Sequence, residues 1–379
     1  MPRILKKILC VSAAVLAAVC LVQSGFPGIP LRCLAASGET EETTPEETES
    51  GGEKKDFINW IDFKVPCEAM EKAIALDAAS QEQPVKLHFI ELLAYLAAEN
   101  GNNFSGYRDA QLDALAEKLS GGASMAELTE KMKYYSFYLE AYTAVLAGFV
   151  GEYETEVPDD DGDGTHWEKH YGLKVFSPIA KGFPYTHYKD FGKKRTYGFS
   201  RTHFGNDLFG QVGTPIIAIE GGYVEELGWN QYGGWRVGIR SFDLKRYYYY
   251  AHLRKGFPFR KDLKVGDTVE SGDVIGYLGR TGCSRTEDVN NVVTPHLHLG
   301  IQVIFDESQK EGSKKIWIDV YQIVRLLDGF RSEVVKDPET KDYSRVYGYR
   351  DLSSLPRNQL PPVLQNGADG KTANDADLQ

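Results

Sequence analysis

The rhythm of apolar and polar positions changes several times along the chain. Ile8 to Val22 is an apolar run broken only by Ser12, preceded by Arg3, Lys6 and Lys7 and followed by Leu34-Ala35-Ala36. A spanning helix needs about 20 such residues. The shorter run, its basic flank and the small residues after it predict an export signal over 1–36, cut near Ala36. An uncleaved anchor that extends past Phe26 is the alternative. Residues 37–56 are rich in Glu and Thr and hold too few apolar residues to build a core, so a disordered acidic linker is expected there. From 57 to 151 apolar residues recur at helical spacing. One helix opens at Pro66, a second spans 84–98, a third 107–120, and one or two more lie within 125–150, separated by breaks at Gly101 and Gly121-Gly122. This is an α-helical domain of unknown role.

Residues 152–174 are polar and predict a linker. Beyond them the pattern becomes strand-like, with a β-type run from Thr214 to Ile219, four tyrosines at 247–250 and strict alternation from Pro295 to Ile301. The fold class expected is therefore multidomain α and β, with the helical domain followed by a mainly antiparallel β domain over 175–330. After Arg331 the chain turns polar, with Pro356, Pro361 and Pro362, and 331–379 reads as a mostly disordered tail.

A length of 379 residues and 42% hydrophobic content suit a globular protein of two domains. The formal net charge is −11, yet residues 181–270 hold 15 basic against 9 acidic side chains. That local surplus suits an anionic partner or, equally, a solvated surface with no partner, and no pattern for nucleic-acid recognition accompanies it. Cys10, Cys20 and Cys33 lack a lipoprotein-type neighbour, and after cleavage only Cys67 and Cys283 would remain, enough for one disulfide but not for a framework. Asp159, Asp161, Asp163 and Gly164 match the first half of a calcium loop, but position twelve is His170 rather than Glu. A solvated acidic linker is the simpler expectation.

The chemistry concentrates in five residues. In Pro295-His296-Leu297-His298-Leu299 the histidines alternate with leucines, so on a strand both imidazoles share one face while the leucines point to a core. In His203-Phe204-Gly205-Asn206-Asp207, Gly205 would let the backbone bend so that both donors reach one metal. His252 adds a fifth polar group. Imidazole and carboxylate are the donors of hydrolytic zinc sites, in which three protein ligands leave one position open.

These motifs resemble the lysostaphin/LytM-type zinc metallopeptidases, which cut peptide bonds in bacterial peptidoglycan. The likeness runs from Arg201-Thr-His203-Phe-Gly205-Asn-Asp207 through Gly213-Thr-Pro215, Gly222-Tyr-Val224, Gly233-Gly234, Ala251-His252-Leu253, Gly279-Arg-Thr-Gly282 and Pro295-His-Leu-His298. It covers roughly 175–325. The resemblance implies a duplicated hybrid motif fold, Zn2+ held by His203, Asp207 and His298, and a catalytic pair of His252 and His296 acting on a metal-activated water. It also implies that Tyr197 faces the developing oxyanion. The implied protein is an exported zinc metalloendopeptidase acting outside the cytoplasm on the cell wall. Its partner would be the peptidoglycan peptide, and it would meet the membrane only through the signal or anchor. A non-catalytic scaffold or regulator of wall remodelling, or a peptidase of secreted proteins, are the alternatives. The chain departs from the pattern in its opening, Pro184 to Gly192, and in a long segment, Cys283 to Thr294, before the paired histidines.

Overall fold

In the computed structural model, residues 57–160, 164–196 and 200–352 are described. The helical stretch comprises α1 (Cys67–Ser80), α2 (Phe89–Asn100), α3 (Asp109–Ser120), α4 (Met125–Thr129) and α5 (Tyr135–Leu146). The breaks fall where the glycines stand. Gly101 closes α2 in the left-handed region at φ 59°, where a Cβ is costly. Ser124 and Glu127 cap α4 reciprocally, Glu127 N–H donating to Ser124 Oγ at 3.2 Å and Ser124 N–H to Glu127 Oε2 at 2.9 Å. No helix among the described residues is long and apolar enough to cross a membrane. The export signal lies outside the described residues.

The strands follow as β1 (Val150–Pro158), β2 (Thr165–Leu173), β3 (Thr186–His187), β4 (Lys194–Thr196), β5 (Ser200–Thr202), β6 (Asn206–Phe209), β7 (Pro215–Ile217), β8 (Gly222–Asn230) and β9 (Gly234–Ser241). After these come β10 (Arg246–Ala251), β11 (Thr268–Val269), β12 (Val274–Tyr277), β13 (His296–Val303), β14 (Ile316–Ile318), helix α6 (Tyr321–Leu327), β15 (Val334–Lys336), β16 (Tyr343–Arg345) and β17 (Tyr349–Asp351). An antiparallel sheet in the order β11-β8-β9-β10-β13-β6-β3, with β14 also on β13, carries the site. Strand β13 sits in its middle, and Leu297, Leu299, Ile301 and Val303 are buried along it.

Two boundaries differ from expectation. Residues 152–174 are no linker: β1 and β2 pair along nine residues, from Val150 opposite Leu173 to Pro158 opposite Thr165. The tail also begins later, because β15 pairs with β16 and β17 adds to β1 as the third strand of the hairpin sheet. Nor do the helices form a core of their own. One apolar cluster runs from Leu92, Leu96, Val145 and Phe149 to Val224, Tyr248, Leu297 and Leu299. Polar contacts cross the same junction: fully buried Arg246 donates to Ala144 O at 2.9 Å, and Cys67 N–H to Gln322 Oε1 at 3.1 Å. A Cβ on Gly148 would lie 1.7 Å from Glu220 Oε1, so this contact requires glycine.

Candidate metal centre

Register brings the donors together. On β13, His298 stands opposite Ala251 of β10 on one side and Asp207 of β6 on the other. Residues directly opposite in an antiparallel pair share a face, so the aspartate and the histidine meet, and His252 follows one residue beyond Ala251. His203 precedes β6 by a short turn. Its Nε2 lies 3.1 Å from Asp207 Oδ1 and 3.0 Å from His298 Nδ1, and His298 Nδ1 lies 3.0 Å from the same Oδ1. The sequence suggested that Gly205 bends the backbone between the first two donors. Its role in the structure is clearance: a Cβ there would sit 2.5 Å from His298 Cε1 and 2.8 Å from Leu299 O.

These three donor atoms fit a small divalent cation. Tetrahedral zinc with bonds of about 2.0–2.1 Å separates neighbouring ligand atoms by about 3.3 Å, close to the spacing here. Asp207 and His203 are buried and His298 is partly open. Burial opposes ionisation of Asp207, but hydrogen bonds from His203 and His298 outweigh it and hold its carboxyl well below the usual carboxylate range. Burial also opposes the charging of His203, yet Asp190 and Asp207 raise it to about 9 in the metal-free protein. Metal and proton therefore compete for this ligand.

His252 and His296 flank the donors with ring centroids 4.8 Å apart. His252 Nδ1 faces Thr281 O at 2.7 Å and His296 Nδ1 faces Thr294 O at 2.8 Å. A carbonyl only accepts, so each Nδ1 carries the hydrogen and each Nε2 is left for the site. His296 Nε2 reaches within 3.6 Å of Asp207 Oδ2. His252 is held at φ 62°, a left-handed conformation uncommon outside glycine. Burial first, then the neighbouring His296 and His298, push its pKa well below the ordinary imidazole value.

Two further residues belong to this centre and were not singled out from the sequence. Asp190 accepts from His203 Nδ1 through its backbone oxygen at 3.2 Å, and its carboxylate pairs with Arg195. Arg195 Nη1 in turn donates to Asp207 Oδ2 at 2.7 Å. One acid and one base thus orient two of the three donors. Both lie in or just after the opening that departs from the family pattern. Its His187 contacts buried Asn206, Nδ1 to Oδ1, at 2.8 Å. The long segment before the paired histidines is pinned by Asp288, whose Oδ1 accepts from Trp235 Nε1 at 2.8 Å and Gly256 N–H at 2.9 Å.

Other candidates resolve differently. Tyr197, Asp161 and Asp163 lie outside the described residues; Asp159 instead faces His166 at 2.6 Å, Oδ1 to Nδ1. Tyr248 and Tyr250 are fully buried, and the Tyr250 hydroxyl accepts from Ile219 N–H, which makes them core residues. Cys67 and Cys283 are not joined in a disulfide.

The comparisons with known proteins fall on this same region. Residues 201–311 match the model described as Peptidase family M23. The L-Ala--D-Glu endopeptidase of Bacillus subtilis (strain 168) is 39% identical over 124 residues, 33% of this chain and 36% of the relative. Lysostaphin of Staphylococcus staphylolyticus is 39% identical over 98 residues, 26% of this chain and 18% of the relative. Among solved structures, the catalytic domain of lysostaphin from Staphylococcus simulans is 31% identical, covering 37% of this chain and 92% of that one, with a TM-score of 0.29. The chain thus spans little more than a third of the first relative's length and less than a fifth of the second's. With His203, Asp207, His252, His296 and His298 all inside the matched span, residues 201–311 constitute a peptidase family M23 domain similar in sequence to lysostaphin.

Proposed function

We propose that the chain is an exported zinc metalloendopeptidase that hydrolyses peptide bonds in bacterial peptidoglycan. The observation that carries this reading is the meeting of three donor atoms, 3.0–3.1 Å apart, beside two imidazoles whose Nε2 atoms face the same space. His203 Nε2, Asp207 Oδ1 and His298 Nδ1 would hold the metal. Zinc, when bound, acidifies water and polarises a carbonyl.

The chain's own residues supply the rest. Thr281 O and Thr294 O fix the tautomers of His252 and His296, so neither ring must reorganise during the reaction. Burial keeps His252 neutral, and its Nε2 is the proton acceptor in this reading. His296, next to Asp207, serves the departing or developing charge. Asp190 and Arg195 hold the donors in place. The duplicated hybrid motif fold, the export signal over 1–36 and a wall location belong to the same proposal. The names of the relatives, an L-Ala--D-Glu endopeptidase and lysostaphin, support a wall peptide as substrate.

The test is mass spectrometry of purified peptidoglycan after incubation with residues 37–379, beside a His296→Ala variant and a chelator-treated sample. New amino termini that need both His296 and metal are expected. Absence of products from several wall types, with metal bound, would overturn the reading.

A further inference from the structure

Where β17 joins the hairpin sheet, a lysine and an aspartate face each other out of water. Lys174 follows β2, and its side chain crosses β1 at Gly151, where a Cβ would only just touch Lys174 Cε at 3.5 Å. On the far side Nζ lies 2.9 Å from both oxygens of Asp351, the last residue of β17. The two side chains are 5% and 3% exposed. Tyr349 closes one side, stacked on Tyr153 at 5.4 Å and edge-on to Phe176 at 5.6 Å, and its hydroxyl donates to Lys174 O. An ion pair in such surroundings loses hydration that its attraction barely repays.

A third group completes the arrangement. Glu270 lies against Asp351, its Oε2 accepting Asp351 N–H at 3.0 Å. Burial, with the charges of Asp351 and Asp273, holds its carboxyl above the ordinary carboxylate range against the pull of that N–H. The position of Nζ, equidistant from both oxygens, puts it no more than about 3.3 Å from Cγ, a separation from which attack can begin. Amine and carboxyl therefore occupy one water-poor pocket, with half-buried Glu270 at its edge.

We propose that Lys174 and Asp351 join in an intramolecular isopeptide bond, with Glu270 as the proton carrier. The Lys174 ammonium passes a proton to Glu270, and Nζ attacks Cγ of Asp351. Glu270 returns that proton to one carboxyl oxygen, then carries a second from the attacking nitrogen to the same oxygen as it departs. The N–Cγ bond forms and one C–O bond breaks. Of the three ammonium hydrogens one stays on the amide nitrogen and two leave with that oxygen as water, and no oxidant is needed. The amide removes both charges from the pocket and ties β17 to the end of β2 across β1. This chemistry is independent of the peptidase reading.

The experiment is tryptic digestion and mass spectrometry of the purified full-length chain. The expected product is a branched pair of peptides, one holding Lys174 and one Asp351, lighter together by one water (about 18 Da), with no cleavage after Lys174. In Glu270→Gln the branched pair should be lost, while circular dichroism of the variant stays like that of the parent. Separate peptides from the parent chain, with cleavage after Lys174, would overturn the bond, as would loss of water without branching. A branched pair undiminished in Glu270→Gln would overturn the part assigned to that residue.

Discussion

Two of the buried polar clusters on the eight-stranded sheet are built on opposite plans. Around Arg246 every charge meets its complement: Glu220 accepts twice, Asp243 once, and Ala144 O once, at 2.7–2.9 Å. Around Asp207, two imidazole nitrogens and a carboxylate oxygen point at a common space, and Arg195 sits behind on the other oxygen. The first cluster is closed by its own hydrogen bonds and welds helices to sheet. The second gathers lone pairs that only a cation or protons can satisfy. Burial of charge alone therefore does not mark a functional site; the direction in which the lone pairs point does.

Substitution can break this contrast. Asp207→Ala should abolish hydrolysis and leave the purified protein without stoichiometric zinc, because two donors hold the metal poorly; elemental analysis checks this. His296→Ala should lower kcat by about 10²- to 10⁴-fold with zinc content unchanged, which separates proton transfer from metal binding. In the closed cluster, Arg246→Ala should cost about 3–5 kcal/mol in urea unfolding, since it leaves Glu220 buried without its partner. The folded fraction of that variant should still bind zinc.

Acidity sharpens the contrast further. His203 is raised from 6.5 to about 9 in the metal-free protein. Its contribution to stability is whole below about pH 6.5 and is lost as pH rises through about 9, a loss on the order of 3 kcal/mol. Melting of chelator-treated protein should therefore fall over that interval. Zinc-loaded protein should not follow it, because the metal needs the deprotonated ring. A parallel fall in both samples would sink the assignment of His203 as a ligand. Smallest in the series, Asp190→Ala leaves the backbone contact to His203 but removes the carboxylate 3.4 Å from His203 Nδ1 and the partner of Arg195, and should weaken zinc affinity about 10- to 100-fold by competitive chelation.

The five central residues were legible because a strand's period of two places His296 and His298 on one face by arithmetic, and spacing ties His203 to Asp207. Asp190 and Arg195 were not legible. Their positions depend on a turn held by Asn206, which donates to Tyr188 O across 18 residues, and no local pattern encodes that contact. The hairpin at 152–174 escaped for another reason. Thr165 to Lys169 of β2 are all exposed, so no apolar alternation announces the strand. The openings of α1 and α3 were read within two residues, while α2 opens at Phe89 rather than at 84. The expected run to Val150 stops at Leu146, and Val150 begins β1.

The continuous core that joins helices to sheet bears on how this M23 domain can be inherited or shortened. Cut at residue 151, it would lose the backing supplied by Val145, Leu146 and Phe149, leave Arg246 without the Ala144 carbonyl, and present fresh apolar surface to water. A shortened chain of that kind should cling to other proteins or to itself before its chemistry could be judged. In this chain the helical layer thus covers apolar surface that the β domain would otherwise present to water, and the two should be moved together.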